Sequence, residues 1–160
     1  MRIRTATMED LEGVTAVEAA CFPPAEAADR ESFRERLLVY PNHFWILEEE
    51  GRIIGFINGM VTDEETIRDE MFADASLHNE QGEWQAIFGV NTIPEFRRQG
   101  CAAKVMEQVI ADAREQGRRG CILTCKDRLI HYYEKFGYQN CGISASVHGG
   151  AVWYDMKLVF

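Results

Sequence analysis

The 160 residues carry 26 acidic against 17 basic side chains, a formal net charge of -9 and a pI near 4.9. That balance excludes the basic footprint needed to hold nucleic acid or an anionic membrane surface, and it favours solubility. At 46% hydrophobic and 27% charged, the composition is that of an ordinary globular protein, long enough to bury its core as a single domain over 1–160. The five cysteines, Cys21, Cys101, Cys121, Cys125 and Cys141, are odd in number and scattered. They form no Cys-x-x-Cys pair, so neither a disulfide framework nor a zinc site is expected, and no metal is predicted. No apolar run reaches membrane-spanning length and the N-terminus has no signal-peptide core, so the expected location is the cytoplasm with reduced thiols.

In chain order, Met1–Ala6 alternates as a short first strand. Thr7, with Asp10 three residues later, makes a variant capping box for a helix carrying Leu11, Val14, Val17 and Ala20/Cys21, stopped by Pro23-Pro24. A second helix is predicted from near Asp29 or Ser32, ending before Pro41, with Phe33, Leu37 and Leu38 inward. Phe44–Leu47 and Ile53–Val61 are β-rich runs around Glu48-Glu-Glu-Gly-Arg52, which reads as a hairpin with Gly51 at positive φ. Residues 62–83 are polar, acidic and turn-rich, with a short helix expected near 64–72; a segment of this length suits a substrate lid.

Trp84–Ile93 reads as one apolar central strand. Pro94-Glu95-Phe96 turns the chain, and Arg97-Arg98-Gln99-Gly100-Cys101-Ala102 leads into a helix over about 99–116, whose Ala102, Val105, Met106, Val109, Ile110 and Ala113 form one stripe. Strand, glycine-bearing basic turn and helix start together present free N–H groups, at the positive end of a helix dipole, to a pyrophosphate. Gly117 caps that helix, Gly120–Cys125 is a buried-type strand, and Asp127 caps a helix running to Phe136. Tyr138–Val147 and Ala151–Val159 close the chain as a strand pair around His148-Gly149-Gly150. The layout is α/β with a mixed sheet, including a parallel crossover from Val90 to Leu123.

Arg97, Gly100 and Ala102 fill the cofactor signature Arg/Gln-x-x-Gly-x-Gly/Ala of the GNAT superfamily of N-acetyltransferases, and Tyr133-Glu134-Lys135-Phe136-Gly137-Tyr138 resembles its second block. Over Leu123–Tyr138 the chain is most similar to the arylalkylamine (serotonin) branch. The resemblance implies one GNAT domain, a mixed, mostly antiparallel twisted sheet of about seven strands with about four helices on its faces. It implies acetyl-coenzyme A as co-substrate. Its pyrophosphate would lie on the backbone of Arg98, Gln99, Gly100, Cys101, Ala102 and Ala103, with charge from Arg97 and Arg98. Its pantetheine would add to Val90, Asn91 and Thr92 like an extra strand. Cys125 would face the cofactor, and Tyr133 would be the general acid to the departing thiolate. Where the animal serotonin enzymes keep two strand histidines, this chain has Ala86 and Phe88, so the general base is not carried over.

The residues leave three candidates for that base: Glu83 at the head of the central strand, His78 on an exposed loop, and His148 at the closing turn. The expected activity is direct acetyl transfer to the primary amine of a small molecule. A non-catalytic acyl-coenzyme A sensor, or transfer to a peptide or protein amine, stands as the alternative. Cys101 and Cys125 are read as small apolar fillers rather than acyl carriers. The acceptor's identity, and whether the chain is a monomer or a homodimer, stay open.

Overall fold

The computed structural model describes all 160 residues, Met1–Phe160. In chain order the elements are β1 (Arg2–Thr5), α1 (Leu11–Cys21), α2 (Arg30–Val39), β2 (Phe44–Glu49), β3 (Arg52–Asn58), β4 (Val61–Thr62), α3 (Glu70–Ala73), β5 (Trp84–Ile87), β6 (Gly89–Thr92), α4 (Cys101–Glu115), β7 (Gly120–Cys125), α5 (Ile130–Glu134), β8 (Gln139–Ile143) and β9 (Tyr154–Val159). The α/β class is as expected, but nine strands lie in two sheets where about seven in one were predicted. The chain divides into two compact units, Met1–Gly59 with Gly89–Val109, and Met60–Phe88 with Ile110–Phe160.

The first unit holds an antiparallel sheet in the order β1-β2-β3-β6. Its local signals work as the sequence suggests. Asp10 accepts the Thr7 N–H at 2.9 Å and Thr7 Oγ1 accepts that of Glu9, closing the capping box before α1. Asp29 accepts the Ser32 N–H at 2.9 Å and starts α2. Glu50 and Gly51 take φ of 50° and 77° at the β2–β3 turn, the left-handed pair that matches strand twist. Phe33, Phe44 and Phe56 are fully buried and their rings meet at centroid distances of 5.8–6.3 Å. Gly55 is required by packing: a Cβ there would stand 2.5 Å from the Asn91 carbonyl oxygen on β6.

The second unit holds a sheet in the order β4-β5-β7-β9-β8, in which β5 and β7 are the parallel pair. The predicted central strand is therefore broken at Phe88. Residues 84–87 pair with Gly120–Leu123, whereas Val90 pairs antiparallel with Ile57 in the other sheet, so the parallel crossover starts from Ile87 and not Val90. Helix near 64–72 is confined to the single turn of α3, because the charged run before it has no apolar face to bury. The closing strands are shorter than read. Residues 144–153 leave the ladder, held by Ser144 N–H on the Trp153 carbonyl and by Asp69, which accepts from Ser146 Oγ and from the Val147 N–H. A 3-10 turn at Asp127–Leu129 precedes α5, which ends at Glu134. No helix is long and apolar enough to cross a membrane.

In the first unit the Arg4 guanidinium makes two bonds to Asp10, at 2.8 and 2.9 Å, and one to Glu48. Those bonds, helped by the Thr7 N–H, hold the Asp10 carboxyl below its ordinary pKa. A carboxyl depressed in the folded state contributes stability above its unfolded pKa of about 4 and loses it as pH falls through the lower folded value. Asp10→Asn should therefore cost about 2 kcal/mol at pH 7, with the deficit shrinking as the wild-type carboxyl protonates below about pH 4. Urea unfolding at pH 7 and pH 3 measures both limbs.

Candidate active site

The predicted pyrophosphate cradle is formed by β6, the following turn and the start of α4, all in the first unit. Strand β6 is an edge: it pairs with β3 on one side only. The Ile93 N–H bonds the Ile54 carbonyl at 2.9 Å. Backbone groups alternate sides in an antiparallel ladder, so those of Gly89 and Asn91 also face β3, and those of Val90 and Thr92 face away. Of the three residues expected to bind pantetheine, Asn91 thus spends its backbone on the sheet. The Thr92 carbonyl is already taken by the Cys21 thiol at 3.3 Å and by Arg97 Nε at 3.0 Å. Beyond the strand, Arg98 and Gly100 adopt φ of 62° and 77°. The glycine meets no steric penalty there, and the arginine is the strained residue of the turn. Residues Arg97–Gly100 are exposed, Cys101 is buried, and Ala102 and Ala103 lie half-buried on the first turn of α4, where N–H groups have no intrahelical acceptor.

The second unit gathers Cys125, Tyr133 and His148 toward the carboxyl ends of β5 and β7, and leaves Glu83 and His78 at the other end. Cys125 ends β7 and Tyr133 sits on α5, 7% exposed, edge-on to Tyr132 and Tyr138. Burial, then the nearby Tyr132 and Cys125, raises the Tyr133 phenol above its usual pKa, so it keeps its proton at neutral pH. His148 stacks on Phe72 with centroids 4.5 Å apart, Phe72 meets Phe88 at 5.0 Å, and Trp153 donates its indole N–H to the His148 carbonyl at 2.8 Å. Glu83 precedes β5, roughly 16 Å of extended chain from Phe88, and pairs with Arg119 in solvent. His78 corrects its reading as an exposed loop histidine: its side chain is 6% exposed. Nδ1 accepts the Val61 N–H at 3.0 Å, so Nε2 carries the proton and bonds Glu80 at 2.9 Å. Both nitrogens fasten the loop.

A group absent from the sequence reading lies in the first unit. Glu18 on α1, Arg36 on α2, Asn58 on β3 and Asn91 on β6 are each at least nine-tenths buried. Asn58 and Gly89 are direct cross-strand partners, and Asn91 follows two residues on, so all three share one face of the sheet. A signal was present: Glu18 interrupts the apolar stripe of α1, and the two asparagines interrupt β-rich runs.

Burial, and then the Asp127 charge, pushes the Cys125 thiol up to about 11. Relative to an ordinary cysteine this leaves roughly 300-fold less thiolate near pH 7.5, which suits an inert filler and not a nucleophile. Cys125→Ala should keep kcat for acetyl transfer within about threefold, whereas an acyl-cysteine route would lose it altogether; thiol release reads the difference.

The sequence pattern of the Acetyltransferase (GNAT) family matches residues 10–138. Serotonin N-acetyltransferase of Mesocricetus auratus is 29% identical over 110 residues, 68% of this chain and 52% of that protein. Human N-acetyltransferase 8 is 26% identical over 104 residues, 63% of this chain and 40% of that one. The chain thus spans about half or less of the length of these relatives. Among solved structures, the GNAT-like decarboxylase GphF in complex with isobutyryl-CoA overlays with a TM-score of 0.86 at 22% identity, covering 99% of both chains. A GNAT family acetyltransferase from Brucella melitensis in complex with acetyl-CoA overlays at 0.63 and 19% identity, covering 99% of this chain and 87% of that one. With its family pattern running from the start of α1 to Tyr138 and its whole fold shared with these neighbours, the chain belongs to the GNAT family.

Proposed function

We propose that this protein is an acetyl-coenzyme A-dependent N-acetyltransferase that transfers acetyl directly to the primary amine of a small molecule. The observation that carries the reading is β6 with its turn: an edge strand whose Val90 and Thr92 backbones face away from the sheet, followed by left-handed residues at Arg98 and Gly100 and the open N–H groups of α4. An amide-bearing pantetheine matches the strand edge and a pyrophosphate matches the helix start. The Arg97 side chain is tied back to Thr92, so its role is to brace the turn while Arg98 meets the phosphate charge.

In the transfer, the ammonium first loses a proton to free its lone pair, the nitrogen bonds to the thioester carbonyl carbon, the C–S bond breaks, and a second proton leaves the nitrogen. Tyr133 gives its proton to the departing thiolate; a phenol kept neutral by burial is suited to donate and is then recharged from solvent. Phe72, Phe88, His148 and Trp153 form an aromatic wall at the carboxyl end of β5, suited to the carbon skeleton of an amine. We assign His148 to that wall and leave neither His78 nor Glu83 as base.

Thiol release from acetyl-coenzyme A against a panel of aryl and alkyl amines, polyamines, amino acids and peptides tests the activity. Turnover is expected with at least one small amine, and tight coenzyme A binding with no release for any acceptor would establish the sensor alternative instead. Tyr133→Phe should lower kcat by about 100-fold with little change in coenzyme A affinity. Full kcat in that variant across the pH range would remove Tyr133 from the acid role.

A further inference from the structure

The sheet of the second unit has one open row. On the face that carries Trp84, Ala86 and Ile122, all buried, the register sets Ile122 level with Ala86 and opposite Lys157. Two residues further along, Thr124 lies directly opposite Asp155, and Phe88 follows β5 beside them; these three are half-buried. The row stands at the carboxyl ends of the parallel pair β5 and β7, at the foot of the aromatic wall of Phe72, Phe88, His148 and Trp153. Asp155 is the charged member of that row. Its Oδ1 is buried and finds no hydrogen-bond partner within the protein. Burial raises the carboxyl above its ordinary pKa, opposed by the Ser144 hydroxyl and then by the Lys157 charge. The Lys157 ammonium is committed elsewhere: it bonds Glu65 Oε1 at 3.0 Å and stands 5.0 Å from the centre of a Trp84 ring.

We propose that Asp155 anchors a second, non-reacting ammonium of the acceptor, which makes the substrate a diamine whose carbon skeleton lies along the aromatic wall. This rests on the N-acetyltransferase reading above and names its acceptor class. A carboxylate beside aromatic rings selects an organic cation with an apolar body. The ammonium held at Asp155 is not the one acetylated. An ion pair stabilises the charged form of an amine, whereas only a deprotonated nitrogen attacks the thioester. The anchored end therefore stays protonated while the other end reacts. Once bound, it supplies the counter-charge that a partly buried carboxylate needs. Lys126 rests over Trp153, 5.6 Å from the ring centre, which leaves Phe72 and Phe88 to meet the skeleton. The segment 62–83, which reaches this face through Glu65, is acidic, and its one arginine, Arg68, pairs with Glu64. That field favours a dication over a monocation.

Two matched pairs of acceptors test it: p-xylylenediamine against p-ethylbenzylamine, and putrescine against n-pentylamine, a methyl replacing one ammonium in each pair. With thiol release as the readout, the unaltered protein should show a kcat/KM for at least one diamine about tenfold above that of its isostere. This preference is read without any variant. Asp155→Asn, equal in size, should raise KM for that diamine about tenfold with kcat unchanged, and leave both constants of the monoamine unchanged. A structural role for Asp155 would not separate the two acceptors. No preference for either diamine, or an equal loss on diamine and monoamine in Asp155→Asn, would overturn the proposal and leave the acetyltransferase reading standing. No thiol release with any amine would instead overturn that reading. Calorimetry with p-xylylenediamine then decides for Asp155 by itself: binding that Asp155→Asn weakens about tenfold supports the anchor, and absence of binding overturns it.

Discussion

The arrangement depends on strand β6 being bound along one edge only. Its Asn91 and Ile93 backbones are given to β3, and the approach is so close that β3 must carry Gly55 opposite. That commitment divides the strand by parity. Odd residues spend their backbone on the sheet and turn their side chains to the buried face, where Gly89 and Asn91 meet Asn58 and Glu18. Even residues, Val90 and Thr92, turn their backbone away from β3, where the Thr92 carbonyl takes the Cys21 thiol and Arg97 Nε, and their side chains are half-buried. A one-residue slip would exchange the two sets and break up the polar cluster. The polar groups on the inner face give that register a second anchor, because a shifted strand would strand amides in an apolar core.

The turn after β6 adds the complementary constraint. Two left-handed residues within three positions, one of them an arginine, are costly unless the loop must bring successive N–H groups round to one side. Arg97 and Gln99 offset part of that cost by bonding the Thr92 and Glu95 carbonyls. The net charge of -9 makes a local basic turn stand out the more. Its two arginines are not a nucleic-acid footprint: one is folded back as a brace, and the other sits at the head of a fifteen-residue helix.

Much of this was legible from sequence because local chemistry dictated it. Thr7 with Asp10, Asp29 with Ser32, and Gly51 between two β-rich runs each specify their own turn or cap, and α4 shows its apolar stripe plainly. What the sequence hid was decided over long range. Trp84–Ile93 reads as one β-rich run, and nothing within it says that the chain leaves one sheet at Phe88 and joins another. His78 looked exposed because its neighbours in sequence are polar; the Val61 N–H that binds its Nδ1 reaches it by tertiary folding. Residues 144–147 and 151–153 read as strand on either side of the His148-Gly149-Gly150 turn, but the ladder lost to a side-chain anchor, Asp69, that comes from seventy-odd positions earlier. Glu18 escaped notice for the opposite reason: an acid in a helical stripe reads as a turn of the solvated face until its burial is known.

The missing strand histidines give the proton path its character. Ala86 is fully buried, and Phe88 packs its ring on Phe72, so neither position can carry a proton. A deprotonation route must then use a titratable group with a free lone pair, held close to the cofactor strand and shielded from competing solvent. His78 fails because its lone pair is spent on the Val61 N–H, and Glu83 fails because it is solvated beside Arg119. His148 is held by stacking on Phe72, which fixes the plane of its ring. Glu18 reaches β6 at the residue where the strand begins, with one oxygen held by the Ala28 N–H. A buried carboxylate is costly to keep for packing alone, since an apolar residue would fill α1 better. Here that cost is offset by the Ala28 N–H, which Glu18 binds at 2.9 Å where the chain passes from α1 toward α2.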